Sequence, residues 1–219
     1  QIPDVGELIR LDEEVSHHLL RVTGIASGEQ VELLDGRGVV AVAELSNVAL
    51  GLATMRILSR KITVPDVRYP IHLRMAQLRA NTLDTVLRMV TELGVTDVTI
   101  VQTERCVARG DKSERWLRIV RSSAAQCGRA DWPRIHPICS FSEALQLPDG
   151  VVGYLCDPTA TTPLAVADTA ASLLVGPEGG WSDAERQKAK EAGWLVRGLG
   201  QHVLRADTAA VTAVARVIG

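Results

Sequence analysis

Ser172-Leu173-Leu174-Val175-Gly176-Pro177-Glu178-Gly179-Gly180-Trp181-Ser182-Asp183-Ala184-Glu185 reads as a strand, a glycine-rich loop and a helix start in direct succession. Ser172 to Val175 is a short apolar run ahead of a turn, the pattern of a strand buried on both faces. Ser182 followed three positions later by Glu185 is a capping box, and Gly193 supplies the stop. A strand that feeds a helix without a hairpin turn belongs to a parallel sheet with helices packed on it.

The same alternation extends outward. Downstream, Trp194 to Leu199 predicts a strand and Arg205 to Ile218 a terminal helix. Upstream, Val151 to Cys156 predicts a strand, Ser140-x-x-Glu143 a capped helix, and Ile135 lies in a short strand. Ser113 to Cys127 is amphipathic at helical spacing, and Val95 to Val101 is rich in β-branched residues. Leu83, Val86, Leu87, Val90 and Leu93 recur at helical spacing, with Asn81 and Asp84 placed for the N-terminal cap and Gly94 as the stop. The expected fold class is therefore α/β, with a mainly parallel sheet covered on both faces.

The first 60 or so residues have a different period. Gln30 to Leu34, Val39 to Leu45 and Leu52 to Leu58 alternate, and Gly36-Arg37-Gly38 separates the first two, so this part is expected to be a small β-barrel. Pro65 and Pro70 mark a linker, with a boundary near residue 68. Two domains are expected, 1–66 and 70–219.

Composition limits the function classes. A 46% share of hydrophobic residues suffices for a proper core, and no apolar run approaches the roughly 20 residues of a membrane-spanning helix. No secretory pattern follows Gln1, so a cytoplasmic protein is expected. Cys106, Cys127, Cys139 and Cys156 are too widely spaced for a paired metal site and read as reduced, mostly buried thiols; no metal is expected. The net charge of −2 argues against bulk attraction to nucleic acid, yet Thr103 to Arg134 carries eight basic residues against four acidic ones. Charge alone leaves a polyanion site and a solvated helix face equally open there.

In a parallel α/β sheet, ligands bind beyond the carboxyl ends of the strands. Two strand-to-helix loops stand at such ends: Gly176 to Trp181, and Leu199-Gly200-Gln201-His202-Val203-Leu204-Arg205-Ala206-Asp207-Thr208. Three glycines within five residues let a ligand approach the first closely. In the second, Arg205 and Asp207 lie near each other at a helix start, with Thr208 able to cap or donate. Neither the dinucleotide fingerprint nor the phosphate-binding loop is present, which counts against a nicotinamide or nucleoside-triphosphate enzyme.

Together the two loops, Leu174 to Ser182 with Leu199-Gly200 and Leu204-Arg205-x-Asp207-Thr208-Ala209-Ala210, resemble the ribosomal RNA small subunit methyltransferase E family of the SPOUT superfamily. Thr91 to Val95, Glu104 to Val107, Arg115-Trp116-x-Arg118-Ile119, Gln126 to Arg129 and the segment from His17 to Gly36 are also similar to family patterns. The resemblance implies a trefoil-knotted domain preceded by a PUA-like barrel that grips RNA, and a homodimer whose sites are completed across the interface. It implies S-adenosylmethionine as cofactor and N3 of one uridine of 16S rRNA, in the 30S subunit, as methyl acceptor. The cofactor residues so implied are Leu155, Val175, Gly176, Pro177, Glu178, Gly179, Gly180, Leu199, Gly200, Val203, Leu204, Arg205 and Thr208. Arg205 and Asp207 are the catalytic candidates, and Arg21, Arg79, Arg105, Arg109 and Arg129 the RNA contacts. The chain departs from the family at Gln201-His202, usually Pro-Arg, at Ala206-Asp207, usually Thr-Glu, at Met89, usually Lys, and at Gly24, usually basic. Fold and cofactor site do not fix the substrate, so a SPOUT enzyme with another RNA target and a non-catalytic RNA-binding module stand as alternatives.

Overall fold

The computed structural model describes residues 2–63 and 67–219; Pro65 of the expected linker lies outside them. The chain divides into two compact units, Gln1–Pro65 with Gly128–Asp131, and Asp66–Cys127 with Trp132–Gly219.

The first unit contains β1 (Leu8–Arg10), α1 (Glu13–His17), a π-helical turn (His18–Thr23), β2 (Gln30–Leu34), β3 (Val39–Ala49) and β4 (Leu52–Ile62). The strands form an antiparallel sheet in the order β1-β4-β3-β2. Asp35 shapes the β2–β3 turn, its Oδ1 accepting from the backbone N–H groups of Arg37 and Val39 at 2.7 and 3.0 Å. The strands β3 and β4 run several residues beyond the predicted ends and close in a two-residue hairpin, with Ala49 opposite Leu52. Ala41, Ala43 and Leu45 alternate inward and meet Ala53, Met55 and Ile57 in the unit's core.

The second unit contains β5 (Ile71–Ala76), α2 (Ala80–Glu92), β6 (Asp97–Gln102), α3 (Ser113–Cys127), β7 (Arg134–Ser140), a 3₁₀ turn (Glu143–Leu145), β8 (Val152–Cys156), β9 (Ala171–Val175), α4 (Asp183–Glu191), β10 (Leu195–Arg197) and α5 (Ala206–Ile218). Its six strands are parallel throughout, ordered β10-β8-β9-β5-β6-β7. One face packs Leu73, Met75, Ile100 and Leu173 against the apolar stripes of α2, α3 and α5. The other packs Val101, Leu155 and Leu174 against Trp181, Ala189 and Trp194. The parallel sheet covered on both faces is thus the observed architecture.

Three local expectations are corrected. The central strand β5 has no counterpart among the expected elements, because His72 and Arg74 interrupt the apolar run by which buried parallel strands are recognised. The helix α2 is capped by Arg79 without a side-chain bond; Asn81 and Asp84 lie within it, and Asp84 is ion-paired with Arg115. The Ser140/Glu143 box forms, but only a 3₁₀ turn follows it. Pro148 has no N–H to give the Ala144 carbonyl, so the helix cannot continue, and the carbonyls of Ala144 and Gln146 instead accept from Arg74 Nη1 at 2.7 and 2.8 Å.

His72 stacks on His136 at 5.0 Å and bonds Thr99 Oγ1 through Nε2 at 2.7 Å. Burial first, and the Arg74 guanidinium second, push its pKa from 6.5 down to about 3. Between those values the unfolded chain binds a proton that the native chain does not, so His72 makes stability fall as pH drops from 6.5 toward about 3. Urea unfolding at about pH 7 and about pH 4.5 should show that loss, and His72→Gln should flatten it. An unchanged slope in the variant would remove His72 as its source.

Candidate active site

At the carboxyl ends of β8 and β9 the chain leaves a cavity of about 410 Å³, within the usual range of small-molecule sites. Its walls come from four segments: Thr82 of α2; Cys156 to Pro158 after β8; Val175 to Glu178 with Gly180 and Trp181 after β9; and Leu199, Gly200, His202 to Asp207 and Ala209 after β10.

The loop after β9 is held by its own chemistry. Gly180 N–H donates to Pro177 O at 2.9 Å and closes a tight turn in which Gly180 adopts φ +65, a region that disfavours any residue with a Cβ. The Trp181 indole is 1% exposed and donates from Nε1 to Cys156 O at 2.9 Å, tying this loop to the end of β8. It lies so close to Gly176 that a Cβ there would stand 3.1 Å from the ring. The capping box then starts α4, with Ser182 Oγ accepting from Glu185 N–H at 3.2 Å.

Asp157 follows β8, and its carboxylate is fully buried. Burial opposes its ionisation, but hydrogen bonds from Thr159 and from Arg186 Nε, at 2.7 Å, hold the carboxyl below its ordinary range. Burial and then this carboxylate push the Cys156 thiol up to about 12, so the thiol is neutral and no nucleophile. Arg205 is the N-cap residue of α5 with a side chain 82% exposed, its Nε 3.6 Å from Asp207 Oδ1. That oxygen also accepts from Thr208 N–H at 2.8 Å.

Of the residues named from sequence, the structure gathers Val175, Gly176, Pro177, Glu178, Gly180, Leu199, Gly200, Val203, Leu204, Arg205 and Asp207 around this one cavity. It does not bring Leu155, Gly179 or Thr208 to the wall. Leu155 is 0% exposed beneath Trp181, and Gly179 instead gives its carbonyl to Arg105 Nη1 at 2.8 Å. Sequence reasoning missed Thr82, Asp157 and Trp181 as wall residues, although Asp157 stands just past a parallel strand, where ligands gather. The arginines named for RNA are spread more widely. Arg21 and Arg79 are exposed, Arg109 bonds Gln102 Oε1 at 3.1 Å, and Arg129 pairs with Asp131 at 2.8 Å. On α3, Arg121 lies over the Trp132 ring at 5.3 Å.

The wall offers S-adenosylmethionine both apolar and polar surface. Val175, Leu199, Leu204 and Ala209 offer apolar surface for a flat ring; Glu178 and Asp207 stand at the wall with Arg205, while the buried carboxylate of Asp157 is already held by Arg186. Open space stands where a Cβ would be at Gly180 and Gly200. Among the described residues no group of His, Cys, Asp or Glu is arranged to hold a metal ion, and no helix is long and apolar enough to cross a membrane.

The RNA methyltransferase domain family model matches residues 65–218. The ribosomal RNA small subunit methyltransferase E of Mycobacterium bovis is 31% identical over 99% of this chain and 88% of its own length. The Synechocystis protein of the same name is 31% identical over 92% of this chain and 69% of its length. A solved ribosomal RNA small subunit methyltransferase E from Neisseria gonorrhoeae, bound to S-adenosyl methionine, has a TM-score of 0.91 at 32% identity, covering 98% of this chain and 92% of that one. The chain belongs to the ribosomal RNA small subunit methyltransferase E family.

Proposed function

We propose that this protein transfers a methyl group from S-adenosylmethionine to small-subunit ribosomal RNA, at N3 of one uridine of 16S rRNA in the 30S particle. The carrying observation is the cavity that the loops after β9 and β10 build together, with Arg205 exposed beside it.

When bound, S-adenosylmethionine supplies an electrophilic methyl group. Val175, Leu199, Leu204 and Ala209 would hold its apolar part, and the exposed carboxylate of Glu178 a cationic group. Uridine N3 is an imide N–H that must lose its proton as the methyl arrives, and negative charge then spreads over O2, N3 and O4. Arg205 answers that charge electrostatically, while Asp207, bonded to Thr208 N–H, orients the guanidinium. Glu178 is exposed at the cavity and, with Asp207, is a candidate to receive the imide proton.

Arg21, Arg79, Arg109 and Arg129 are assigned to RNA phosphates. The antiparallel unit is assigned the role of a PUA-like RNA grip, and the β8–α5 region that of a trefoil knot. A homodimer completes each site: Val203 lines the cavity yet is 79% exposed, an apolar side chain that a second copy would cover. The cytoplasm is the assigned compartment.

The test is transfer of labelled methyl from S-adenosylmethionine to 30S subunits from a strain lacking the modification, with mapping of the product base. Label at N3 of a single 16S uridine is expected. Label on another RNA would replace the substrate, and cofactor binding without transfer to any RNA would replace the enzyme by a binding module.

A further inference from the structure

The segment after β6 reaches the loop after β9, 74 positions further along the chain. Thr103 and Cys106 are both buried, with Thr103 Oγ1 and Cys106 Sγ 3.1 Å apart and Cys106 N–H donating to Thr103 O, so the turn between them is anchored at both ends. Within it, Glu104 N–H donates at 2.9 Å to Oε1 of Glu185, the buried glutamate whose Oε2 accepts from Ser182 N–H in the capping box of α4. Its neighbour Arg105 donates from Nη1 to Gly179 O at 2.8 Å. The aliphatic stem of Arg105 runs along Gly179 closely enough that a Cβ there would stand 3.1 Å from Arg105 Cβ. The flanking residues Glu178 and Gly180 both line the cavity, whereas Gly179 does not.

We propose that Arg105 is a positioning residue for the cofactor loop, holding the Gly179 carbonyl so that Glu178 and Gly180 keep their places in the cavity wall. This assigns to Arg105 a role that needs no RNA, in place of the phosphate contact its charge suggests. The inference rests on reading the cavity as the S-adenosylmethionine site. Charge-assisted hydrogen bonds are the stronger kind, and this one fixes a peptide between two wall residues.

Calorimetry with S-adenosylhomocysteine and no RNA, on the full chain and its Arg105→Ala and Arg105→Lys variants, tests it. Arg105→Ala should bind about three- to ten-fold more weakly, the worth of one such bond. Arg105→Lys, which keeps one donor for the carbonyl, should recover most of that affinity. In steady state, KM for S-adenosylmethionine should rise in Arg105→Ala by more than kcat falls. Unchanged affinity in Arg105→Ala, with only RNA binding weakened, would overturn the inference alone. Equal loss in the Ala and Lys variants would do the same. No heat with the unaltered protein would overturn the cavity assignment and the inference with it.

Discussion

Arg205→Ala is expected to lower kcat for methyl transfer by about 10²- to 10³-fold, the loss typical when one preorganised group opposite a developing oxyanion is removed. The structure separates this from a folding defect. Arg205 caps α5 through its backbone conformation, with no side-chain cap bond, and its side chain is 82% exposed. Truncation of such a side chain changes stability by within about 0.5 kcal/mol. Binding of S-adenosylhomocysteine should therefore persist while turnover on 30S subunits collapses, and Arg205→Lys should recover part of the rate by keeping the charge. Full activity in Arg205→Ala would remove the guanidinium from the mechanism.

Gly180→Val should weaken cofactor binding by about ten- to a hundred-fold. At φ +65 a β-branched residue is strained by about 1–3 kcal/mol; the free turn relaxes to relieve that strain, binding must restore it, and each 1.4 kcal/mol or so is ten-fold in affinity. No atom beyond the adjoining residues Gly179 and Trp181 lies within 4 Å of the position a Cβ would take, so the cost falls on the backbone turn and on the open space beside the cavity rather than on the core. Because the relaxed free turn spares the fold most of that strain, the melting temperature of the unliganded protein should drop by at most several degrees, at about 2–4 °C per kcal/mol for a chain of this size. Calorimetry decides the matter, and unchanged affinity would move the cofactor elsewhere.

Periodicity made most of the larger unit legible. Where apolar residues recur at helical spacing, as in α2, or run unbroken, as in β9, the elements lie where sequence places them. The strand β5 escaped because one of its faces is polar: His72 and Arg74 are tolerated inside only through Thr99 and the carbonyls of Ala144 and Gln146, partners far away in sequence. The same blindness to tertiary partners accounts for α2, where Asp84 is taken by Arg115 of α3 and caps nothing. At the site, motif spacing identified the two loops, but which atoms face the cavity depends on packing. Gly179 is turned to Arg105, Leu155 is sealed beneath Trp181, and Asp157 reaches the wall from a loop with no motif of its own.

The cavity wall draws on Thr82, on Cys156 to Pro158, on Val175 to Glu178 with Gly180 and Trp181, and on Leu199, Gly200, His202 to Asp207 and Ala209. No hairpin or single helix contains any working fraction of it, and its parts meet only once distant parallel strands have paired. Such long-range pairing belongs to the slow steps of folding. Ligand capture is then a property of the finished domain, and a ligand that binds only this state shifts the whole unfolding equilibrium, by about 2.7 kcal/mol at a hundred-fold excess over Kd. Amide protons deep in β5, β8 and β9, far apart along the chain, should gain that protection together in hydrogen exchange wherever they exchange by global opening.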